Sequence, residues 1–526
     1  MRKLLNFKKN YFYFFLFLYL ILGIFLSLSV GITHDESHDL LVWNLNKQLI
    51  LNFLFGNNYD VSFLESGGKY YGFGFHIASF PIEIFINSIS NFIDIKDNAR
   101  VLVNKHATVF LFYVISSLYF NKILFYITKN KEYSFACTLL YLLYPYLLGH
   151  SFFNIKDIPF LSVWLIATFY IIKISKCLIN HNIIRFKDLF ILSILTAYLL
   201  SIRISGILIF LEYFIVFLFL TNILNIRIKD FIIKFYKQFF IFFFTVIILF
   251  YILHPSYWLN PLAVIDGIKY MSQHLQTVCT VTMGKCMKAQ NLPSSYLPLW
   301  LMFKLPLLVL CGLLIFPLIE KKLFKDKINT LIIGSLIITT ISIILLLILF
   351  NTNLYDEIRQ VMFLVPLLFV ISLSSIYFLS KKISLITVVF FSVIFVYQNV
   401  KIYPYNYIWI NNFSNFIKVG DNFELDYWGV STKMIAKKLN NENIEIDNCI
   451  ITNRIDGVKA FVSDMNTCFL PIQKLHSKNT RPFYVALTER SLNKGLPNNC
   501  VNIFNEKIKL NFSKEELILA KLYRCD

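Results

Sequence analysis

The chain has 526 residues, of which 57% are hydrophobic, 17% aromatic and 15% charged. Soluble globular proteins carry about 25% charged residues, so this composition excludes a soluble globule and indicates a membrane protein with many spans. The formal net charge is +19. Because the basic residues lie in short connections between apolar runs, they indicate membrane topology and argue against binding of nucleic acid.

The apolar runs predict about eleven transmembrane helices. They cover residues 11–32, 101–120, 134–152, 158–176, 187–203, 205–223, 238–254, 298–318, 328–350, 360–379 and 383–400. The first run follows basic residues, as a secretory signal does, but it is too long for one and is interpreted as a retained anchor. A further stretch, 71–92, is interrupted by glycine, proline and charged residues, which favours a helix lying in the membrane interface.

Lysine and arginine cluster in alternate connections between the runs, and this asymmetry places the N-terminus in the cytoplasm. An odd number of helices then puts the C-terminus outside. The predicted organisation is a transmembrane domain over residues 1–404, with a first outer loop at 33–100 that contains interfacial helices, and an extracytoplasmic α/β domain over 405–526. The predicted location is the cytoplasmic (inner) membrane, with the lipid bilayer as surroundings.

The tail, residues 405–526, is polar and mixed in composition. Its patterns predict a helix at 431–439 and strands at 449–452, 483–487 and 501–510. A domain of this size can fold alone.

Cysteines fit the same topology. Cys279 and Cys286 share one outer loop, and an even number in an oxidising compartment predicts that they pair. Four tail cysteines allow three pairings, and the sequence leaves all three open: Cys449, Cys468, Cys500 and Cys525. Free thiols in a reducing compartment are the alternative.

Polar residues that are unusual for a membrane protein map to the outer side in five separate segments. They are the acidic cluster Asp35, Glu36 and Asp39; residues 149–159 with His150, Asn154, Lys156 and Asp157; Arg203; His254; and residues 355–360 with Tyr355, Asp356 and Arg359. Any one of these could be an ordinary helix end or a snorkelling side chain. Ionisable groups cost about 3 kcal/mol near the bilayer core, so five segments on one face predict a functional site.

The residue types indicate the chemistry of that site. Lysine and arginine suit an anionic head group, while a carboxylate can remove a proton from an acceptor hydroxyl. A lipid phosphate is the anion naturally available at this depth.

Several segments resemble motifs of the membrane glycosyltransferases of superfamily C, in particular relatives of the protein O-mannosyltransferases, the aminoarabinose transferases and the Rgt-type enzymes. The matching segments are Asp35-Glu36 after the first helix, Asn154-x-Lys156-Asp157-x-Pro159, Tyr355-Asp356-x-x-Arg359 leading into Phe363-Leu364-x-Pro366, and residues 423–429 in the tail. This chain departs from the family at one point. Many relatives have a Lys-Pro-Pro segment in the first outer loop, and this chain has no lysine at the matching position. Lys69 or His76 could take its place.

The resemblance implies an α-helical polytopic enzyme that transfers a sugar from a polyprenyl-phosphate donor to a glycolipid, glycan or protein acceptor, with inversion. Asp35 is the predicted general base, with Glu36 orienting the acceptor or a cation and Asp157 positioning hydroxyl groups. The predicted donor-phosphate ligands are Lys156, Arg203 and Arg359, with His150 and His254 behind them. The predicted acceptor or sugar contacts are His38, Asn154, Tyr355 and Asp356.

No cofactor is predicted with certainty, and a divalent metal is left open. His34, Asp35, Glu36 and His38 offer ligands, but their spacing matches no metal motif. The alternative function is a flippase or transporter for a lipid-linked glycan, whose two related halves the sequence lacks. A non-catalytic assembly or receptor protein is a third reading.

Overall fold

The computed structural model describes residues 2–56, 62–89, 97–442, 449–463, 467–475, 483–492, 495–510 and 516–525. The helices are α1 (Arg2–Leu28), α2 (His34–Phe55), α3 (Gly74–Ile89), α4 (Asp97–Thr128), α5 (Lys131–Leu143), α6 (Pro145–Ser151), α7 (Asp157–His181), α8 (Phe186–Ile202), α9 (Ile209–Leu224), α10 (Ile228–Ile252), α11 (Ala263–Ser272), α12 (Tyr296–Lys304), α13 (Leu307–Leu323), α14 (Lys327–Leu349), α15 (Val365–Leu379), α16 (Lys381–Ile402), α17 (Val419–Asn422), α18 (Thr432–Leu439) and α19 (Ile455–Lys459). The strands are β1 (Cys279–Thr282), β2 (Lys285–Lys288), β3 (Cys449–Thr452), β4 (Cys468–Pro471), β5 (Phe483–Thr488), β6 (Cys500–Lys509) and β7 (Glu516–Cys525).

Helices dominate the first 400 residues, and the predicted polytopic membrane class is confirmed. In the described part, 8 helices are long and apolar enough to cross a membrane, or 9 if α12 and α13, bent by 115°, form one span. Each of the predicted runs is helical, but α5 has 13 residues and α8 has 17. Prolines interrupt two of the runs, since Tyr144 and Leu305 adopt extended backbone before Pro145 and Pro306.

The bundle has a buried centre and an apolar rim. Helix α15 is almost wholly buried and α7 largely so, whereas α1, α10 and α16 leave most of their length exposed. The exposed side chains on that rim are large and apolar, for example Phe14, Phe240 and Val400. A helix that is apolar on its outer face fits a lipid environment.

The acidic cluster begins a second helix, α2, instead of ending the first one. Thr33 is its N-cap, and Glu36 closes a capping box by accepting hydrogen bonds from the Thr33 backbone N–H (2.7 Å) and hydroxyl (2.9 Å). Carboxylates in a first turn also interact favourably with the helix dipole. The predicted interfacial stretch forms α3, and its position in a membrane stays a prediction; residues 90–92 of that stretch lie outside the described part.

The tail contains the predicted α/β domain. Its five-stranded sheet has the order β4-β3-β5-β7-β6, with β3 parallel to β4 and β5, and β7 antiparallel to β5 and β6. The predicted helix and three strands are confirmed within one residue at either end. Strands β4 and β7 were not predicted.

The tail packs directly on the helical bundle. Ile435 and Leu439 of α18 belong to one apolar cluster with Leu28 and Ile32, at the end of α1. The Lys433 ammonium donates a 2.6 Å hydrogen bond to the Ser29 carbonyl oxygen beside them. The tail is therefore held at the end of the bundle where α1 ends and α7 begins, which is called the charged end below.

Three disulfides lie in the described part. The predicted Cys279–Cys286 pair is confirmed and joins β1 to β2. In the tail, the structure selects Cys449–Cys468 and Cys500–Cys525 from the three possible pairings. Each tail disulfide joins two neighbouring strands, because the paired cysteines lie opposite each other in the register.

Candidate active site

Four segments far apart in the sequence bring charged side chains together at the charged end. Each contributes from a helix terminus: Asp35 from the first turn of α2, Asp157 from the first turn of α7, Arg203 from the end of α8, and Arg359 from the turn before α15. Asp157 and Arg359 are buried, whereas Asp35 and Arg203 are partly exposed. Helix ends carry unsatisfied backbone groups, so ionisable side chains are easier to place there than mid-helix.

Asp35 and Arg359 form the central ion pair. Arg359 Nη1 lies 3.0 Å from Asp35 Oδ2, and the Asp35 side chain is 36% exposed against 8% for Arg359. The guanidinium carbon lies 4.9 Å from the centre of the Tyr355 ring and 4.8 Å from that of Trp428, both within cation–π range. Burial alone would raise the pKa of Asp35, but Arg359 and then Lys156 outweigh it and hold that pKa below its usual range.

Asp39 and Lys156 form a second pair, with Nζ 2.5 Å from Oδ1. The same ammonium lies 4.6 Å from the centre of the Tyr71 ring. His38 packs on Tyr71 at 4.7 Å between ring centres, and its Nδ1 lies 3.5 Å from Asp39. The charge of Lys156 also acts on Asp35, so the first and second pairs share one electrostatic environment.

Asp157 forms the third pair, with Arg203. The turn before α7 is built by Asn154, whose side-chain oxygen accepts hydrogen bonds from the backbone N–H groups of Lys156 (3.2 Å) and Asp157 (2.8 Å). The Asn154 amide nitrogen donates to Asp157 Oδ2 at 3.0 Å and lies 3.1 Å from His150 Nδ1. Asn154 is thus placed to orient Asp157, which is 3% exposed.

Asp356 links the bundle to the tail. Its Oδ2 lies 3.7 Å from Arg359 Nε, and its Oδ1 accepts a 2.7 Å hydrogen bond from Arg490, which also pairs with Glu424. Asp356 and Glu357 both adopt left-handed backbone, with φ of 55° and 66°. Such conformations are uncommon for non-glycine residues and need surrounding contacts to hold them.

Two buried contacts hold this turn. Thr280 Oγ1 of the disulfide-closed hairpin accepts a 2.9 Å hydrogen bond from the Asp356 N–H. The Glu357 carboxylate lies 2.7 Å from Lys304 Nζ, and both side chains are fully buried. Lys304 in turn donates to the Trp409 carbonyl oxygen at 3.0 Å. The turn that presents Arg359 is therefore fixed from the bundle and from the tail.

Two of the predicted site residues are not brought into this network. Glu36 is 1% exposed, and its carboxylate is occupied by Thr33 and by His106 Nε2 at 2.8 Å, which fits a structural role. His254 stacks between Phe250 and Tyr257, with Nδ1 2.8 Å from the Phe250 carbonyl oxygen. His150 packs against Trp428, close to Arg359.

The four side chains offered as metal ligands turn to different partners. They pair as His34 with Asp456, Asp35 with Arg359, Glu36 with His106, and His38 with Asp39. Among the described residues, no three histidine, cysteine or carboxylate side chains converge as a metal site would require.

Two residues were candidates to replace the lysine of the Lys-Pro-Pro segment, Lys69 and His76, and neither belongs to the central Asp35–Arg359 pair. Lys69 Nζ lies 5.0 Å from the centre of the Tyr70 ring, and His76 stacks on Trp43 at 5.8 Å.

Sequence reasoning missed four charged residues: Arg454 and Arg490 of the tail, Lys304 at the end of α12, and Glu357 of the turn before α15. A signal existed for two of them, because Arg454 follows the predicted strand 449–452 by two residues and Arg490 follows the predicted strand 483–487 by three. Side chains at the carboxyl ends of neighbouring parallel strands meet at one edge of a sheet. Nothing in the local sequence indicates that this edge faces the bundle.

No protein-family model matches the chain, and no curated protein matches it in sequence. Its fold is similar to the crystal structure of ArnT from Cupriavidus metallidurans bound to undecaprenyl phosphate, with 10% identity, a TM-score of 0.47 and coverage of 97% of each chain. It is similar to the apo state of the same protein at 9% identity, a TM-score of 0.47 and coverage of 98% of each chain. At these values the likeness assigns no activity or ligand to this chain.

Proposed function

We propose that this protein is a membrane glycosyltransferase that moves a sugar from a polyprenyl-phosphate donor to an acceptor hydroxyl. The acceptor is a glycolipid, a glycan or a protein, and the reaction takes place at the outer face of the cytoplasmic membrane. The observation that carries the proposal is the convergence of three carboxylate–cation pairs, from segments up to 324 residues apart, at one end of an apolar helical bundle.

The anion site is formed by Arg359 and Lys156. Both cations are held by carboxylates in the free protein and lie against aromatic faces, Trp428 and Tyr71 respectively. A phosphate monoester can replace a carboxylate at a guanidinium, because both accept two parallel N–H hydrogen bonds. The lipid chain of the donor would extend along the exposed apolar rim of the bundle.

Asp35 is better placed than Asp157 to act as the base. Its side chain is 36% exposed, so an acceptor can reach it, whereas that of Asp157 is 3% exposed and both of its oxygens are already bonded. In the reaction, Asp35 takes the proton from the acceptor hydroxyl while the oxygen of that hydroxyl attacks the anomeric carbon of the donor sugar. The bond from that carbon to the phosphate oxygen breaks, and the polyprenyl phosphate leaves as an anion. Attack opposite to the leaving group inverts the configuration.

Donor binding would activate this base. In the free protein, Arg359 lowers the pKa of Asp35 and so makes the carboxylate a weak base. When the donor phosphate takes hydrogen bonds from Arg359, it draws the guanidinium away from Asp35. The pKa of Asp35 then moves upward towards the range that suits proton transfer. The cation is left with the phosphate, where negative charge develops in the transition state.

The test is sugar transfer by purified protein in detergent, with Asp35→Asn as the variant and Asp266→Asn as the matched control. Asp266 is an exposed residue of α11, and its substitution should leave transfer unchanged. Asp35→Asn should lower transfer by at least about 1000-fold at an unchanged melting temperature, the range for loss of a general base together with an acceptor contact. Transfer by Asp35→Asn near the wild-type rate would refute the assignment. Cells that lack the protein and accumulate untransported carrier lipid, with no transferase detectable in vitro, would favour the flippase.

A further inference from the structure

The sheet of the tail presents a particular edge to the charged end. Strands β3 and β5 are parallel neighbours in register, so both have their carboxyl ends on the same edge. Asn453 and Arg454 follow β3 at that edge, and Glu489 and Arg490 follow β5. In open sheets with parallel strands, this is the edge at which ligands commonly bind. Arg490 reaches from it to Asp356 of the bundle.

Arg454 lies beside the central ion pair. Its Nη2 donates to the Tyr427 carbonyl oxygen, and the next residue is Trp428, whose ring covers the Arg359 guanidinium. Burial and the neighbouring charge of Arg490 lower the pKa of Arg454, while the charges of Asp35 and Asp356 act in the opposite direction, although neither carboxylate pairs with it. This arginine therefore borders the same space as the proposed base.

Arg454 differs from the cations of the ion pairs described above in having no carboxylate partner. The cations with one are Lys156, Arg203, Arg359 and Arg490. Within the described residues, Arg454 forms no ion pair, and its Nε is buried without a hydrogen-bond acceptor. A buried N–H of a charged group without a partner is costly, and ligand-binding sites are where such a cost is normally retained.

We propose that Arg454 is a phosphate ligand of the substrate, so that the tail supplies part of the anion-binding site. This deepens the proposed function, on which it rests, by adding a cationic contact from the tail to those of Arg359 and Lys156. The ligand is a phosphate group. It comes either from the lipid donor, shared with Arg359, or from a phosphate carried by the acceptor.

The structure also suggests how the position is fixed. Gly429 has a left-handed φ of 71°, and a Cβ atom there would come within 3.0 Å of Arg454 Cγ. The Glu489 carboxylate accepts hydrogen bonds from the backbone N–H groups of Leu425 (2.9 Å) and Asp426 and clamps the same loop. The aliphatic part of Arg454 is thus confined between the loop and the sheet edge, while Nε has no hydrogen-bond partner among the described residues.

The experiment compares Arg454→Gln with Lys459→Gln, which removes an exposed cation five residues away. Glutamine keeps a donor for the Tyr427 carbonyl and removes the charge. Binding of undecaprenyl phosphate in detergent and of inorganic phosphate is measured by calorimetry, with the melting temperature recorded for each protein. Arg454→Gln should weaken phosphate binding about tenfold, as the loss of one charge-assisted contact does, and Lys459→Gln should not.

The source of the phosphate follows from competition. If saturating undecaprenyl phosphate abolishes binding of inorganic phosphate, and Arg454→Gln weakens binding of undecaprenyl phosphate, the ligand is the donor phosphate. If inorganic phosphate still binds the lipid-saturated protein in an Arg454-dependent way, the ligand is an acceptor phosphate. Wild-type affinity for both probes in Arg454→Gln overturns the proposal. Phosphate binding that depends on Arg454 in a protein without transfer activity would overturn the proposed function and leave this site standing.

A second measurement needs no variant and so holds even if Arg454→Gln fails to fold. Phenylglyoxal modifies accessible arginines, and mass spectrometry gives the extent at each one. Phosphate or undecaprenyl phosphate should protect Arg454 and leave Arg227, which is exposed and distant in sequence, unprotected. Equal modification of Arg454 with and without both ligands would overturn the proposal.

Discussion

Arg359 should set the pH at which Asp35 becomes protonated, and this can be measured through Arg359→Gln. In the wild-type protein the pKa of Asp35 lies below its usual range, because the opposing charges of Arg359 and Lys156 outweigh the effect of burial. The carboxylate is therefore fully ionised in the free protein at every pH above about 5. The glutamine removes the positive charge and keeps a hydrogen-bond donor, so that burial, which raises the pKa of Asp35, is opposed only by the remaining charges of Lys156 and His34 and by that donor.

The size of the shift follows from the geometry of the pair. A partner cation at 3.0 Å lies within the distance at which opposite charges move a carboxyl pKa by about 1–3 units. Because Asp35 is 36% exposed, solvent screens the interaction, and the lower end of that range, about 1 unit or ~1.4 kcal/mol, is expected. The sign is upward: the variant needs a higher pH to ionise Asp35.

The assay is kcat/KM for sugar transfer as a function of pH, since this ratio reports groups of the free enzyme. The acid limb of Arg359→Gln should lie about one unit above that of the wild type, on top of a lower absolute rate from weaker donor binding. Lys156→Gln should move it in the same direction by less, and Lys269→Gln, an exposed cation of α11, should not move it. An acid limb that coincides in wild type and Arg359→Gln would refute the coupling between the two residues.

Two further predictions concern the supports of the site. Lys304→Met leaves the Glu357 carboxylate buried without its partner and should lower the free energy of unfolding by about 3–5 kcal/mol. The double variant Lys304→Met/Glu357→Met should recover most of that loss. Equal melting temperatures for wild type and Lys304→Met would contradict this prediction. Burial raises the pKa of Asp426 to about 6 from 3.8, so folding favours the protonated carboxyl. The protonated carboxyl contributes roughly 3 kcal/mol to the free energy of unfolding, and this contribution is lost as pH rises from about 4 to 6. The stability of wild type relative to Asp426→Asn should fall by about that amount between pH 4 and 7. A difference that stays constant over this range would be the contrary result.

The sequence was sufficient to predict the membrane class, the tail strands that carry strong apolar patterns and the residues of the central pairs. Hydropathy identifies spanning runs because water is absent from the bilayer core, and charged residues beside such runs are few enough to stand out. The start of α2 could also have been predicted, since Thr33-x-x-Glu36 is a capping-box pattern. Glu36 was instead assigned to the acceptor, because its burial against His106 depends on the packing of α4, which the local sequence does not encode.

The contribution of the tail could not be predicted in the same way. Arg454 and Arg490 become neighbours only through the parallel register of β3 and β5, and they face the bundle only because α18 packs on the end of α1. Both are long-range properties of the fold. His254 is the opposite case, because its place at a helix end made it a candidate phosphate ligand in the sequence. In the fold its Nδ1 already contacts the Phe250 carbonyl oxygen one helical turn earlier.

Apolar contacts and charges have different tasks in joining the tail to the bundle. Burial of Ile435 and Leu439 against the end of α1 supplies favourable free energy, at about 25 cal/mol for each Å² removed from water. The Asp356–Arg490 pair across the same junction must offset its own desolvation and so adds little to stability, but it fixes the relative position of the two parts. Because Arg359 lies between Asp35 and Asp356, a shift of the tail that broke this pair would leave Asp356 to compete with Asp35 for Arg359. The position of the tail is thereby coupled to the basicity of Asp35, even though no tail residue pairs with that carboxylate in the described part of the chain.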